Sequence, residues 1–182
     1  MPAIVIETPR LILRPWRDDD FARYAALNAD PDVRRYWPST LSRQESDAEA
    51  TRLRRHVDTQ GFGFWAVEAP GVAPFIGFIG LKHAPSDLLF SPAVEAGWRL
   101  ARAYWGQGYA TEGARAALTH GFATLGLEEM VAYAVAANAP SGRVMERIGI
   151  TRDPADDFDD QRHEPGDPHR RHVVYRKRNN KR

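Results

Sequence analysis

Gly106 and Gly108 stand between an apolar run, Val94 to Leu100, and a helical pattern that begins at about Gly108. Residues without a Cβ let the main chain approach a ligand closely. The first turn of the helix that follows adds free N–H groups and the positive end of its dipole. Such a place suits a pyrophosphate. The turn lacks the Lys-Ser/Thr ending of an ATP-binding P-loop, and it lacks the third glycine and distal acid of a dinucleotide fingerprint. ATP and NAD are thereby disfavoured, and a nucleotide-binding protein of another fold is a remote alternative. Taken alone, Gly-x-Gly is more often an ordinary tight turn, so residues elsewhere must decide.

A second group lies downstream. Asn138 follows the strand-like Val131 to Ala137 and precedes a helix opening at Pro140, a place where Asn commonly caps. Ser141 and Arg143 fall in the first turn of that helix, where a structural serine and a solvated arginine are the ordinary roles. On the earlier strand, alternation puts Glu95 on the opposite face from Val94, Ala96 and Trp98. A carboxylate so placed is either a general base in a cleft or a salt-bridged strand residue.

The elements that must hold these residues are legible from periodicity. Leu11 to Leu13, stopped by Pro15, reads as a strand, and Asp18 to Asp20 offer caps to a helix through Phe21, Tyr24 and Leu27 that Pro31 closes. Ser42 and Glu45 form a capping box for a helix running to about Asp58 and ending at Gly61. Phe62 to Val67, Phe75 to Leu81 and Val94 to Leu100 follow as three strands in a row, which suggests an antiparallel meander. A long helix from Gly108 to Leu125 presents Ala114, Ala117, Leu118, Gly121 and Phe122 on one face. Met130 to Ala136 is a strand, Pro140 to Ile148 a helix, and His172 to Tyr175 a strand after a polar loop from Asp153 to Arg170. The fold class is mixed α/β (α+β), expected as one domain over residues 1–182.

Composition narrows the function classes. With 25 Lys and Arg against 24 Asp and Glu, the formal charge is +1, so no global field recommends a nucleic-acid or membrane partner. No cysteine occurs, which removes disulfides, thiolate metal sites and a cysteine nucleophile, and suits a reducing cytoplasm. The residues from Met1 to Arg14 are too polar for a signal peptide, and no apolar run approaches a membrane span. No metal is expected. His163, His169 and His172 lack ligand spacing, and the acidic run Asp153, Asp156, Asp157, Asp159 and Asp160 lacks the pattern of a calcium loop.

Tyr104-Trp-Gly-Gln-Gly-Tyr-Ala-Thr-Glu112, together with Asn138-Ala-Pro-Ser-Gly-Arg-Val-Met-Glu-Arg-Ile-Gly149, resembles the acetyl-CoA motifs of the GNAT superfamily of N-acetyltransferases. The branch it most resembles is the Rim type, which holds the ribosomal-protein N-terminal acetyltransferases. Leu11 to Pro15 is similar to that family's opening strand, so the likeness covers nearly the whole chain. It implies a central, mostly antiparallel twisted sheet flanked by helices. It also implies acetyl-CoA as co-substrate, its diphosphate on Gly106, Gln107, Gly108, Tyr109, Ala110 and Thr111, with side-chain contacts from Asn138 and Arg143. Main-chain groups of Trp98, Arg99 and Leu100 are implied to pair with the pantetheine arm and to stabilise the oxyanion, with Gly97 a place for a bulge.

Two positions depart from the pattern. Trp105 stands where Arg or Gln is usual, leaving backbone amides and Arg102 to hold phosphate, and Met145 stands where many members place a tyrosine acid. Ser141 is then the candidate proton donor to the thiolate and Glu95 the candidate base. A base is needed because a lysine-like amine titrates near 10.4 and an N-terminal amine at roughly 7.7–8.0. The function expected is acetyl transfer to a primary amine, on a protein N-terminus or a small molecule, by direct attack. The alternative is a non-catalytic acyl-CoA-binding or regulatory module. Trp37, Phe64 and Trp65 either line the acceptor groove or belong to the core, and the acidic run either attracts a cationic acceptor or is solvated. The tail Arg176 to Arg182 reads as a frayed terminus. A homodimer is compatible with this reading.

Overall fold

The computed structural model describes residues 4–179. Strands β1 (Ile6–Glu7) and β2 (Ile12–Arg14) precede helices α1 (Asp20–Ala29) and α2 (Arg43–Gln60). The expected meander follows as β3 (Phe64–Ala69), β4 (Ala73–His83) and β5 (Val94–Leu100). Then come α3 (Tyr109–Ala123), β6 (Glu129–Val135), α4 (Ala139–Arg147), β7 (Thr151–Arg152), β8 (Phe158–Asp159) and β9 (Arg171–Arg178). The sheet order is β1-β2-β3-β4-β5-β6-β9-β7, with β8 also on β9, and every pairing is antiparallel except β5 with β6.

Cross-strand partners share a face, so the register sorts the side chains. Phe78 pairs with Arg99 and Lys82 with Glu95 on the face covered by α1, whose Tyr24 ring sits 6.1 Å from that of Phe78. Ile79 pairs with Trp98 on the other face, against α3, where a Cβ on Gly113 would come within 2.5 Å of the Ile79 side chain. Ala114, Ala117, Leu118 and Gly121 of α3 are buried as expected, whereas Phe122 is half-buried. The Ser42–Glu45 capping box is present, and Gly61 ends α2 in the left-handed region.

Four expectations change. At the start of α1 neither Asp18 nor Asp19 caps; Asp20, in the first turn, accepts the Arg17 N–H at 2.7 Å and is buried against Arg14. Gly97 makes no bulge, because the β4–β5 register runs unbroken from His83/Val94 to Gly77/Leu100. Its bare Cα instead leaves room for the Phe64 ring, which a Cβ would meet at 2.6 Å. The segment from Asp153 to Arg170 is not wholly a solvated loop, since Phe158 and Asp160 are buried and β8 pairs with β9. Arg176, Lys177 and Arg178 belong to β9, with Arg176 paired to Glu129 at 2.8 Å; the tail's last three residues, 180–182, lie outside the described residues.

The acids of that segment are engaged. Asp153 accepts the Ala155 N–H, Asp156 pairs with Arg176, Asp157 with Arg152, Asp159 with Arg171 and Asp160 with Arg162. They do not form an open negative patch for a cation. The hydrogen bonds from Arg162 hold Asp160 down to about 2, against the opposing effect of burial. A carboxyl group depressed on folding stabilises above its unfolded pKa and ceases to do so as pH falls through the folded value. Thermal stability should therefore decline between about pH 4 and pH 2. Asp160→Asn should make that decline shallower in melts monitored by circular dichroism, and an unchanged slope would count against the pairing.

Candidate functional site

Strands β5 and β6 are parallel and share one register pair, Glu95 with Val131, beyond which they part. The β4–β5 ladder continues past that point, and Ala101 N–H donates to Ile76 O at 2.9 Å. Alternation along an antiparallel ladder then turns the N–H and C=O of Trp98 and Leu100 away from β4, toward the opening. A cleft of about 490 Å³ lies there. Trp98, Arg99 and Leu100 form its floor, Gly106 and Gly108 to Thr111 one wall, and Asn138, Ser141, Arg143 and Arg147 another. Val33 to Trp37, in the connection after α1, close the remaining side with Arg34 set back from the surface.

The turn before α3 has the expected build. Gly106 and Gly108 adopt φ of 74° and 82°, a region that costs an ordinary L-residue about 1–2 kcal/mol. Among the described residues, the main-chain N–H groups from Gly106 to Thr111 have no hydrogen-bond acceptor. Unmade bonds of this kind at a helix N-terminus are what an oxyanion satisfies. Among the residues expected to hold the cofactor, Gln107 is the exception: it does not line the cleft, and its side chain donates to Ala103 O at 3.1 Å.

A clasp that sequence reasoning missed holds this turn. Thr8 Oγ1 and the Arg10 N–H donate to Glu112 Oε1 at 2.7 and 2.9 Å, and Arg10 Nε donates to Glu112 Oε2 at 2.6 Å. Arg10 Nη1 also donates to Gln107 O at 2.9 Å, and its guanidinium lies 4.8 Å from the Tyr109 ring centre. Arg10 flanks the opening strand in the sequence, but nothing local signals a partner a hundred residues away.

Trp105, at the departure from the family pattern, donates its indole N–H to Leu100 O at 2.8 Å, so it occupies a main-chain group of the floor. Arg102 pairs with Asp32 and is turned from the phosphate cradle. Arg143 and Arg147 of α4 border the cleft instead, and Arg147 was not anticipated.

Asn138 takes the capping role expected of it. Its Oδ1 caps α4 by accepting the Ser141 N–H at 3.2 Å, and the residue lines the cleft beside Ser141. Met145 is 2% exposed, inside the core, and supplies no donor.

Glu95 lies at the closed end of the opening rather than on its walls. It is 6% exposed, with Oε1 at 3.1 Å from Lys82 Nζ and the Tyr133 hydroxyl beside its carboxylate. Tyr133, on the same face of β6, has its phenol pushed up by burial, by the charge of Glu95 and by a hydrogen bond to it, so it stays protonated at any physiological pH.

Of the three aromatics considered for the acceptor side, Trp37 lines the cleft. Phe64 stacks on Phe78 at 4.9 Å and Trp65 is fully buried, so both are core residues. Among the described residues no group of three or more His, Asp or Glu gathers for a metal, and no helix is long and apolar enough to cross a membrane.

Comparison with known proteins agrees with this geometry. Residues 10–151 match the family profile described as acetyltransferase (GNAT) domain. A protein of Bacillus subtilis called YkkB, itself uncharacterized, is 32% identical over 144 residues, covering 79% of this chain and 83% of its own. The crystal structure of an acetyltransferase from Agrobacterium tumefaciens superposes with a TM-score of 0.78 at 29% identity, covering 98% of this chain and 96% of that one. The fold also matches RimL, a ribosomal L7/L12 alpha-N-protein acetyltransferase in complex with coenzyme A, with a TM-score of 0.76 at 16% identity, covering 96% of this chain and 98% of that one.

Proposed function

The chain belongs to the GNAT acetyltransferase family, and on that premise we propose that it moves the acetyl group of acetyl-CoA to a primary amine, on a protein N-terminus or a small molecule, by direct attack. The observation that carries this reading is the row of unpartnered N–H groups from Gly106 to Thr111 at the mouth of α3, opening on the same cleft as the main chain of Trp98 and the N–H of Leu100. Acetyl-CoA supplies an activated thioester there. The protein's part is positioning and charge stabilisation.

The α3 turn holds the diphosphate, with Arg143 alongside, and Asn138 meets the pantetheine arm. The main chain of Trp98 and the Leu100 N–H align that arm, and one of these N–H groups stabilises negative charge as it develops on the carbonyl oxygen. The attacking amine must be neutral, and Glu95 takes its proton through intervening water, since its carboxylate sits beyond the cleft wall. Ser141 faces the cleft and gives a proton to the departing thiolate.

A panel of primary amines with acetyl-CoA, read as thiol release, tests this. Glu95→Gln should lower kcat/KM by roughly 100-fold or more and remove the acid limb of its pH profile. An unchanged profile would dismiss Glu95 as the base. Uptake of coenzyme A with no thiol release for any amine would make the chain an acyl-CoA-binding module instead.

A further inference from the structure

We propose that Arg99 binds a carboxylate carried by the acceptor, so that the substrate class is an amine bearing an acid group; this rests on the acetyl-transfer reading above. Arg99 is 8% exposed, and its guanidinium lies between the rings of Trp37 and Phe78, 4.5 and 5.2 Å from their centres. All its hydrogen bonds leave from one corner. Nη1 donates to Tyr24 Oη, Asn28 Oδ1 and Glu49 Oε2 at 3.1, 2.9 and 3.2 Å. The other edge, Nε with Nη2, receives no acceptor from the described residues, and Nε is buried in that state. That edge is the fork that matches the two oxygens of a carboxylate.

The charge balance points the same way. Arg34 is also 8% exposed, and its guanidinium lies 5.0 Å from the Trp37 ring centre. It donates to Ser39 O and has no ion pair among the described residues. Burial and the nearby Arg99 charge pull its guanidinium below the usual value. Two buried cations thus lie near one half-buried carboxylate, Glu49, which pairs with Arg99 alone, and an uncompensated buried charge is costly until an anion arrives.

This anion is not the diphosphate of acetyl-CoA. Arg99 projects on the α1 face of the sheet, among Tyr24, Asn28 and Glu49, whereas α3 packs on the face of Ile79 and Trp98. The fork therefore serves the acceptor half of the cleft. The same chemistry belongs to the α-carboxylate of a free amino acid and to an acidic side chain near a peptide N-terminus.

Matched acceptors distinguish the sources: amino acids against their amides, and short peptides with Asp against Asn at the second position. Rates are compared at equal concentrations of neutral amine. In at least one series the acid member should exceed its neutral partner about 10- to 100-fold in kcat/KM, as expected for charge-assisted bonds. Arg99→Lys keeps the charge and loses the fork; with coenzyme A affinity and melting temperature as folding controls, it should bring that ratio to within about threefold.

Equal kcat/KM for both members of every pair, in a protein that releases thiol with amines, overturns the inference and leaves acetyl transfer standing. A ratio retained in folded Arg99→Lys also overturns it. Failure to take up coenzyme A, or to release thiol with any amine, defeats the parent reading and this one together. Should Arg99→Lys not fold, the wild-type pairs still decide.

Discussion

Ala110→Glu is expected to weaken acetyl-CoA binding about 100-fold while the protein stays folded. Ala110 sits in the first turn of α3 and lines the cleft. A carboxylate there favours the helix itself, because the N-terminal end of the dipole attracts negative charge by about 0.3–1 kcal/mol. The same charge, about 5 Å from a bound phosphate, opposes the ligand by roughly 3 kcal/mol at an effective dielectric near 20. The two effects have opposite signs on stability and on affinity, so the variant separates a ligand-binding turn from a merely structural one. Calorimetric titration should show the loss, partly restored at high salt. A change under threefold with an unaltered melting temperature would mean that the diphosphate lies elsewhere.

Asp20→Ala should destabilise the fold by about 3 kcal/mol, or roughly 6–12 °C in melting temperature for a chain of this size. Arg14 Nη1 and Nη2 donate to the two Asp20 oxygens at 2.8 and 2.9 Å, and the side chains are 4% and 3% exposed. Burial alone would pull the Arg14 guanidinium down, yet its bonds to Asp20 and Glu68 hold it above the usual value. Removing Asp20 strands that cation and also frees the Arg17 N–H. Glu68, at 2.9 Å from Arg14 Nε, remains and keeps the cost near the lower end of the range for a broken buried pair. Asp20→Asn should cost less, since one oxygen survives. A loss below about 1 kcal/mol in urea titration would show that Glu68 alone suffices.

What the sequence disclosed and what it hid divide along the reach of each interaction. The capping box of Ser42 and Glu45 spans three residues and could be read directly, as could the turn glycines and the three strands of the meander. Strands β1 and β8 have two residues each, too few for any periodicity to register. The burial of Asp160 depends on β9, which arrives later in the chain. Glu95 was chosen correctly as a strand residue of one face, but its pairing with Lys82 and its place behind the cleft come from a register that only the assembled sheet defines. Arg99 was expected to contribute main chain; its side chain became informative once α1 and α2 brought Tyr24, Asn28 and Glu49 against it.

The clasp between Thr8, Arg10 and Glu112 spans 102 to 104 residues, so it has a bearing on biosynthesis. A growing polypeptide makes Thr8 and Arg10 first and must hold them idle until Glu112 has left the ribosome. Closing so long a loop carries an entropic penalty that local bonds in α3 do not share. The bonds within α3 are local, whereas the turn before it is complete only once the earlier segment of Thr8 and Arg10 has returned to it. Trimming the polypeptide through Arg10 would remove no described residue that lines the cleft, yet it would leave the Gln107 carbonyl and the Glu112 carboxylate without their anchors.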